Sequence, residues 1–322
     1  MTIQGLRAAE FTLAKVVVAG AINWDINIFI DNFPRRGEQV AIRRIARVPG
    51  GKAGNAVVAA ARLLGENRAA ILGALGDDSV AGEHLRIFKQ EGVNTVGLKI
   101  TKGIESGKAY IIIDKNGENI IHSLVGANTT LLPNDLEHPT RRHLIENASL
   151  IAIMDPPLAT CTKLARKAKR SGKTVVWDPG LKSRFGIDAA AQLLRNVDYL
   201  LLNQHEVRFL TRAKTEEAAA SKLSKVNGKL RVVMKQGPKG CVLHYGGKRT
   251  VFRAFDLKAL GLKVVNTVGC GDTFLGAFAA ALVEHRPESE ALRWASVAAG
   301  LKATRPETRG SPDRHTLMKH LE

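Results

Sequence analysis

Short apolar segments alternate with helical patterns along most of the chain, and this alternation constrains the fold more than any other feature. It is most regular after residue 149, where strand and helix patterns follow one another at 150–154, 160–171, 174–177, 189–195, 199–202, 206–211 and 230–234. Strands that are apolar throughout are typical of a parallel sheet covered by helices on both faces. We therefore predict an α/β fold with a mainly parallel central sheet.

The same alternation begins near the N-terminus and ends in two long helical patterns. The remaining elements are strands at 15–22 and 68–75, helices at 52–65 and 79–91, a hairpin at 241–245 and 249–255, and helices at 271–284 and 287–304. A chain of 322 residues that is 45% hydrophobic can bury the core that such a sheet needs.

Apolar and polar residues alternate instead in four segments, at 26–31, 39–48, 97–100 and 108–124. Alternation suits a sheet with one wet face, and Asn116-Gly117 in the last segment is a typical hairpin turn. We expect one small sheet that forms a lid over the carboxyl edge of the central sheet, where open α/β folds bind ligands. The predicted division is an N-terminal extension at 1–14, a β lid at 26–48 and 97–124, and a main nucleotide- and substrate-binding domain at 15–25, 49–96 and 125–322.

The cysteines and the apolar runs indicate the cellular compartment. Cys161, Cys241 and Cys270 form no closely spaced pair, which favours a reducing compartment and gives no zinc motif. No uncharged apolar run approaches the roughly 18–20 residues that span a bilayer. The N-terminus also lacks the pattern of a signal peptide. We expect a cytoplasmic protein without membrane contact.

The formal net charge of +18 is concentrated in the second half of the chain. Residues 161–322 hold 30 of the 48 basic residues and 14 of the 30 acidic ones, and the excess is densest at 161–184 and 222–253. A one-sided positive field attracts anions, from nucleotides to RNA. Aromatic residues do not interleave with the basic ones as a base-stacking platform requires. We therefore interpret most of this charge as solvated surface.

The most specific motif is VNTVGCGD at 265–272, which opens a helical pattern. The backbone N–H groups of Gly269, Cys270 and Gly271 at a helix N-terminus would bind a phosphate or a developing anion. Asp272 could accept a proton from an attacking hydroxyl. The alternative is a stabilising N-cap with no role in chemistry.

Two further motifs lie nearer the N-terminus. GGKAGN at 50–55 is a glycine-rich turn at a helix start, with neither the P-loop nor the dinucleotide-binding spacing. Asn23 and Asp25 follow the first strand and would present short polar side chains to hydroxyl groups in the cleft. A polar-capped turn and a simple turn after a strand are the respective alternatives.

In this order, NWD at 23–25, GGKAGN at 50–55 and GCGD at 269–272 resemble the ribokinase-like carbohydrate kinases, often called the PfkB family. The resemblance extends from about residue 15 to residue 312. Between the signatures, NQHE at 203–206 matches the family's NxxE motif, KQGPKG at 235–240 its nucleotide-phosphate loop, and 298–305 the helix beside its adenine pocket. The resemblance implies a ribokinase-like fold in which the alternating segments are the lid.

The resemblance also implies a role for each matching position. Asp272 is the expected general base, and the amides of Gly269, Cys270 and Gly271 are the expected anion hole. Contacts to the acceptor are expected from Asn23, Asp25, Gly50, Gly51, Lys52, Asn55 and Asp155. Contacts to the nucleotide are expected from Asn203, Lys235, Gly237, Gly240, Gly271 and Ser296. Glu206 would organise Mg²⁺, through water.

Three positions depart from the family pattern. Asn266 stands where an Asp usually helps to hold a monovalent cation, and its uncharged amide could coordinate only weakly, so potassium activation is doubtful. Cys270 is a small replacement that should fit. Ser296 stands where ribokinases often have Asn, so contacts to the base could differ.

Three arginines, Arg43, Arg44 and Arg47, precede the glycine-rich turn. Because side chains alternate along a strand, at most about half of them can face the site. An inward arginine could pair with a phosphate on the acceptor, and a charged wet face is the alternative.

The sequence thus predicts a Mg²⁺-dependent phosphotransferase that moves the terminal phosphate of ATP to a hydroxyl of a sugar, nucleoside or sugar phosphate. ADP is an alternative donor, and a homodimer through the lid is plausible. The competing hypothesis is a basic nucleic-acid-binding protein without kinase activity, favoured by the charge alone. A sugar-sensing regulator without chemistry is disfavoured because Asp272 and its flanking glycines are intact.

Overall fold

The computed structural model describes residues 14–321, so the predicted N-terminal extension lies outside the described residues except for Ala14. The strands are β1 (Val16–Ala19), β2 (Asn23–Phe29), β3 (Arg44–Gly50), β4 (Ala69–Leu72), β5 (Ala74–Gly76), β6 (Lys99–Thr101), β7 (Gly107–Ile113), β8 (Asn119–Leu124), β9 (Leu150–Ile153), β10 (Thr174–Trp177), β11 (Tyr199–Asn203), β12 (Arg231–Lys235), β13 (Cys241–Tyr245) and β14 (Lys248–Phe252). The helices are α1 (Lys52–Leu64), α2 (Ser79–Gln90), α3 (Pro139–Asn147), α4 (Leu158–Arg170), α5 (Gly186–Leu194), α6 (Gln204–Thr211), α7 (Glu216–Val226), α8 (Cys270–Val283), α9 (Glu288–Ala303) and α10 (Arg314–Lys319).

Within residues 14–321, the central sheet has eight strands in the order β14-β13-β12-β11-β10-β9-β1-β4. All neighbours from β12 to β4 pair in parallel, while β13 and β14 form an antiparallel hairpin at one edge. The predicted mainly parallel sheet is confirmed.

Helices cover both faces of this sheet because its central strands are apolar on both sides. Val16 and Val18 of β1 pack into a core with α1, α8 and α9. Val17 and Ala19 of the same strand point the other way, into a core with α4 and α5. All four residues are fully buried, as expected for a strand that helices enclose on both faces.

A second sheet has the order β3-β2-β7-β8, with the turn at 115–117 joining β7 to β8. The prediction that segment 97–100 belongs to this sheet is wrong, because β6 pairs in parallel with β5 instead. The predicted strand at 68–75 is likewise two strands in different sheets. They are separated at Gly73, where a Cβ would lie 3.0 Å from the carbonyl oxygen of Gly20. The division of the chain into domains stays a prediction.

Helices α3, α7 and α10 were not predicted from the sequence. In α7 two residues are buried, Ala219 and Leu223, and so few apolar contacts leave a weak periodic pattern. None of the helices described in the structure is both long and apolar enough to cross a membrane.

Candidate active site

Four neighbouring strands end at one edge of the central sheet, and each brings a polar side chain there. Asp155 and Asp178 follow β9 and β10, while Asn203 and Lys235 are the last residues of β11 and β12. Because these strands are adjacent and parallel, their carboxyl ends form one edge. This is the edge at which open α/β sheets bind ligands.

Lys52, predicted on the acceptor side, lies among the carboxylates of this edge. Its Nζ is 3.6 Å from Asp178 Oδ1 and 3.6 Å from Glu206 Oε1. Burial disfavours the charged ammonium, but the negative charges of Asp178, Asp155 and Glu206 outweigh it and raise the pKa of this lysine. Lys52 therefore brings a permanent positive charge to the centre of the site.

Lys235 makes a close charge pair at the same edge, since its Nζ donates to Asp178 Oδ2 at 2.5 Å. Burial alone would raise the pKa of Asp178, but the ammonium groups of Lys235 and Lys52 hold it below its ordinary value. The other oxygen, Asp178 Oδ1, and Asp155 Oδ1 are buried without a hydrogen-bond partner among the described residues. Buried polar atoms are rarely left so, which indicates that a ligand completes this site.

Asp272 lies in the first turn of α8 with its carboxylate against α1. Asn55 Nδ2 donates to Asp272 Oδ2 at 2.9 Å, and Asn55 Oδ1 accepts from Arg309 Nε at 3.3 Å. Burial raises the pKa of Asp272, while Lys52 and the hydrogen bond from Asn55 oppose the rise. The simple N-cap alternative does not hold, because Gly269 is the N-cap residue and no side chain caps this helix.

The backbone that leads into α8 presents unpaired donors. Cys270 N donates to Thr267 O at 3.2 Å, whereas the amides of Gly269, Gly271 and Asp272 have no acceptor in the described part of the chain. Free amides at a helix N-terminus attract an anion. A Cβ on Gly271 would lie 3.6 Å from Lys235 Nζ, so a positive charge lies beside the same amides.

Gly50 and Gly51, both predicted on the acceptor side, approach Asp25 and Asn23 closely. A Cβ on Gly50 would overlap this carboxylate, and a Cβ on Gly51 would overlap the amide nitrogen of Asn23. Gly51 also has φ 84°, so both the space and the backbone favour glycine there. Burial raises the pKa of Asp25 to about 7, although the nearby Arg309 opposes the rise.

Asn203 and Glu206 hold each other at the start of α6. Glu206 N donates to Asn203 Oδ1 at 2.9 Å, and Asn203 N donates to Glu206 Oε2 at 2.8 Å. This capping box leaves Glu206 Oε1 facing Lys52. Gly237 and Gly240 follow Lys235 in the turn before β13 and are joined by a hydrogen bond from Gly240 N to Gly237 O at 3.0 Å.

Ser296 makes no contact with this network. It lines a cleft of about 720 Å³ between the end of β14 and one side of α9, together with Phe252, Phe255 and Arg293. The cleft has aromatic, apolar and charged walls, as binding sites for ring-shaped ligands commonly do.

The carboxylates of the sheet edge fit a Mg²⁺ ion that is bound largely through water and phosphate oxygens. Mg²⁺ usually takes one or two carboxylates and completes its shell with water and substrate phosphates. The suitable oxygens are Asp155 Oδ1, which has no hydrogen-bond partner among the described residues, and Asp178 Oδ1 and Glu206 Oε1, which each lie 3.6 Å from Lys52 Nζ. No cluster of three or more His, Cys, Asp or Glu forms an all-protein metal cage in residues 14–321.

The surroundings of Asn266 do not fit a bound potassium ion. The carbonyl oxygen of Asn266 accepts a hydrogen bond from Lys302 Nζ at 2.8 Å. Its side-chain oxygen accepts from Val268 N at 2.9 Å, and Nδ2 donates to Pro306 O at 2.7 Å. Both oxygens that could coordinate K⁺ are therefore already occupied by protein donors.

The lid arginines do not converge on Asp25. Arg43 is in an exposed ion pair, and Arg44 lies 4.1 Å over the ring of Phe29, at the far end of β2. Arg47 lies opposite Ile26 in the strand register. Because side chains alternate along a strand, those of Arg47 and Asp25 point to opposite faces of the sheet. The structure therefore favours the alternative, in which these arginines form a charged, solvent-exposed face of the lid sheet.

Asp178 is a site residue that the sequence analysis did not select, although its signal is present. It follows the buried strand β10 directly, much as Asp155 follows β9 one position later. The rule that polar residues after parallel strands meet at one edge would have identified it.

Asn128 and Arg309 were also missed, and the sequence near them carries no comparable signal. Asn128 Nδ2 donates to Asn23 Oδ1 at 2.7 Å. The buried Arg309 Nη2 donates to Gly50 O at 3.0 Å. Both act on motif residues from far along the chain, so their roles depend on the tertiary fold.

Comparisons with known proteins identify the family over nearly the whole chain. The family model described as "pfkB family carbohydrate kinase" matches residues 13–314. Ribokinase from Haemophilus influenzae is 29% identical, over 95% of this chain and 98% of its own length. ATP-dependent ribose-1-phosphate kinase from Halopiger xanaduensis is 28% identical, over 96% and 98%.

Solved structures give the same result for the fold. Arabidopsis thaliana ribokinase, complexed with ribose and ATP, matches with a TM-score of 0.84 and 28% identity, covering 96% of this chain and 99% of that one. Ribokinase from Thermotoga maritima also matches with a TM-score of 0.84, at 26% identity. The chain therefore belongs to the PfkB family of carbohydrate kinases, which are phosphotransferases with an alcohol group as acceptor.

Proposed function

We propose that the protein transfers the terminal phosphate of Mg²⁺-bound ATP to a hydroxyl of a sugar, with Asp272 as the general base. The observation that carries this proposal is the placement of the Asp272 carboxylate in the same helical turn as the free amides of Gly269 and Gly271. Attack of a hydroxyl on phosphorus needs a proton acceptor and an anion site this close together.

In the proposed reaction, Asp272 accepts the proton of the acceptor hydroxyl as its oxygen bonds to the γ-phosphorus of ATP. The bond from that phosphorus to the bridging oxygen breaks, and ADP leaves. Burial raises the pKa of Asp272 and so makes it a stronger base than an exposed aspartate, while Lys52 limits the rise. Amides at the start of α8 and the ammonium of Lys235 stabilise the charge on the transferred phosphoryl group. When bound, Mg²⁺ neutralises donor phosphate charge, and Asp178 and Glu206 are the residues that would hold it.

The acceptor side supports an unphosphorylated sugar as the first candidate. Asp25, Asn23 and Asn55 offer hydrogen-bonding groups that suit hydroxyls. An ionised Asp25 would repel a phosphate on the acceptor, and no lid arginine faces it to offset that repulsion. The nearby Arg309 offsets part of the charge of Asp25 but is already bonded to Gly50 O and Asn55 Oδ1. The relatives named for ribose and ribose 1-phosphate make these two compounds the most informative pair to compare.

An acceptor panel tests the proposal. Pentoses, hexoses, nucleosides, inositol and their phosphates are assayed with Mg²⁺ and either ATP or ADP. We expect ribose with ATP to give the highest kcat/KM among the pairs. Failure to phosphorylate any of these acceptors, by a folded protein that binds Mg²⁺-ATP in calorimetry, would overturn the proposal.

The nucleic-acid alternative receives less support, because acidic neighbours pair with several of the basic residues in the charged stretches. Lys163 and Lys167 contact Glu137, and Lys169 contacts Asp198. Charges used in this way are unavailable as a continuous phosphate-binding surface. We expect RNA binding that is weak and collapses near 150 mM salt; tight binding at that salt concentration would revive the alternative.

We also propose a homodimer through the lid sheet. All six residues of its edge strand β8 are exposed, including Ile120, Ile121 and Leu124. An exposed apolar edge strand is a template for pairing with another chain. Sedimentation should give a dimer for the wild type and a monomer for Ile121→Lys, and a monomeric wild type at micromolar concentration would contradict the proposal.

A further inference from the structure

Lys302 is a wholly buried lysine in the last turn of α9, and no carboxylate of residues 14–321 lies within ion-pair distance of it. Its Nζ donates to the carbonyl oxygen of Asn266 at 2.8 Å, and in the described chain it makes no other hydrogen bond and no ion pair within 4 Å. Burying a lone ammonium group is costly. A hydrophobic residue would pack there without that cost, so the charge itself calls for an explanation.

The contact joins the end of α9 to the segment that presents the anion-binding amides. Asn266 N donates to Ala303 O at 3.0 Å, beside the ammonium contact. Three residues further on, Gly269 lies so close to Thr308 that a Cβ would overlap the carbonyl oxygen of Thr308. The segment 266–269 is thus held against the end of α9 and the chain that follows it, and Lys302 lies at the join.

Two features make this position suitable for a fixed cation. The last turn of a helix exposes backbone carbonyls with partial negative charge, which stabilise a nearby ammonium group. The segment ends at the free amides of α8, where an anion binds in the proposed reaction. The Lys302 ammonium group lies behind these amides, where it contacts the carbonyl oxygen of Asn266. It therefore adds to the positive electrostatic potential at the anion, although it does not contact the anion.

We propose that the ammonium group of Lys302 is a resident cation of the anion-binding segment 266–271, so that the protein needs no bound monovalent metal ion. In the sequence resemblance, Asn266 stands at the position where an Asp usually helps to hold a monovalent cation, and the ammonium group of Lys302 contacts the carbonyl oxygen of this residue. Lys302 is a positioning residue, because it acts on the phosphoryl group through the segment. The effect of Lys302 on phosphoryl transfer rests on the proposed kinase function, whereas its replacement of a bound metal ion does not.

The first test needs no turnover. Thermal unfolding of the wild type is followed in potassium, sodium and choline chloride at equal ionic strength, and we expect equal midpoints. Lys302→Ala leaves a space beside the free carbonyl of Asn266, and we expect it to gain a stabilisation specific to K⁺ or NH₄⁺. A potassium-specific stabilisation of the wild type would overturn the proposal even if no sugar substrate were known.

The second test uses catalysis. Wild-type kcat should change less than about twofold when K⁺ replaces choline, and Lys302→Ala should lose up to about 10²-fold, as expected when a catalytic segment is misplaced. Ammonium, methylammonium or K⁺ should restore part of that loss. Lys302→Met, which fills the space without charge, should show a similar loss without rescue.

Lys319 provides the matched control, since it lies exposed in the last turn of α10. Lys319→Ala should keep wild-type activity and show no response to the amines. If Lys302→Met retains wild-type kcat, or if the amines fail to rescue a folded Lys302→Ala, the role of the charge is disproved. Where Lys302→Ala does not fold, Lys302→Met alone decides the outcome through kcat and nucleotide binding in calorimetry.

Discussion

Asn55 and Asp272 lie 217 positions apart in the chain and are joined by a hydrogen bond of 2.9 Å between Asn55 Nδ2 and Asp272 Oδ2. The two residues lie in the first turns of helices α1 and α8, so the bond connects the glycine-rich turn to the anion-binding segment. Arg309 fixes the direction of the Asn55 amide through Nε. The proposed base is therefore oriented by a neutral donor, which leaves its second oxygen available to a substrate.

Replacement of Asp272 by Asn should abolish most of the activity and leave the fold intact. Removal of a general base costs about 10²–10⁴-fold in kcat, and loss of a buried carboxylate whose pKa is raised should not lower the unfolding temperature. Asp188 is an exposed acidic residue in the first turn of α5, so Asp188→Asn is the matched control and should retain activity. Near wild-type kcat in Asp272→Asn would exclude the proposed base.

Loss of the Asn55 hydrogen bond should shift the pH profile. This bond lowers the pKa of Asp272 against the effect of burial, so Asn55→Ala should raise that pKa further. Because the base works in its ionised form, the acidic limb of kcat/KM should move to higher pH. Asn116→Ala, which removes an exposed Asn–Asp contact in the lid hairpin, should leave the limb in place, and an unmoved limb in Asn55→Ala would contradict the assignment.

The fold class and the motif residues were accessible from the sequence because their signals are local. Apolar strands and glycine-rich helix starts are short patterns, and they located α1, α8, the strand that precedes Asp155 and the strand that ends at Lys235. Strand β6 was assigned to the wrong sheet because three residues carry too little pattern to select a partner. Arg309 and Lys302 could not be assigned, since each acts on a backbone carbonyl that only the tertiary fold brings near.

Asp25 should destabilise the protein at neutral and higher pH. Burial raises its pKa from the ordinary value of 3.8 to about 7, so the folded state favours the protonated form. The wild type therefore loses stability as the pH rises from about 4 to about 7, where the unfolded state ionises first. Asp25→Asn removes this effect and should be more stable than the wild type at pH 8, by up to about 4 kcal/mol.

The same variant should lose affinity for the acceptor, which would explain why a destabilising carboxylate is retained. Urea unfolding at pH 4.5 and pH 8 measures the difference in unfolding free energy between Asp25→Asn and the wild type. We expect a difference near zero at the lower pH and a clear gain at the higher one. A pH-independent difference would show that Asp25 does not titrate between the two.

The pair of Lys235 and Asp178 should contribute more to stability than an exposed pair of similar geometry. Removing one partner of a buried ion pair typically costs about 3–5 kcal/mol, and we expect Lys235→Met to fall at the lower end because Lys52 remains 3.6 Å from Asp178. Lys169 pairs with Asp198 at 2.7 Å on a partly exposed surface, and Lys169→Met should cost less than about 1 kcal/mol.

The pH dependence of this pair follows from the lowered pKa of Asp178. A carboxylate with a lowered folded-state pKa stabilises the protein above its ordinary pKa, and the contribution disappears as the pH falls below about 4. The cost of Lys235→Met, measured by denaturant unfolding, should therefore shrink between pH 7 and pH 3. Equal costs for the Lys235 and Lys169 variants at pH 7 would contradict the buried pairing.

Gly51 and Gly65 separate backbone strain from steric overlap at the acceptor site. Both have positive φ, 84° and 92°, but a Cβ on Gly65 meets nothing within 4 Å, whereas one on Gly51 overlaps the amide nitrogen of Asn23. Each Ala variant should lose about 1–3 kcal/mol of stability through φ alone. Gly51→Ala should lose more stability than Gly65→Ala, because its Cβ also overlaps a neighbouring atom.

Gly51→Ala should also raise the KM for the acceptor by displacing Asn23, while Gly65→Ala leaves it unchanged. Steady-state kinetics and denaturant unfolding of the two variants measure both effects, and an equal KM in both would show that the close approach of Gly51 to Asn23 does not shape the acceptor site.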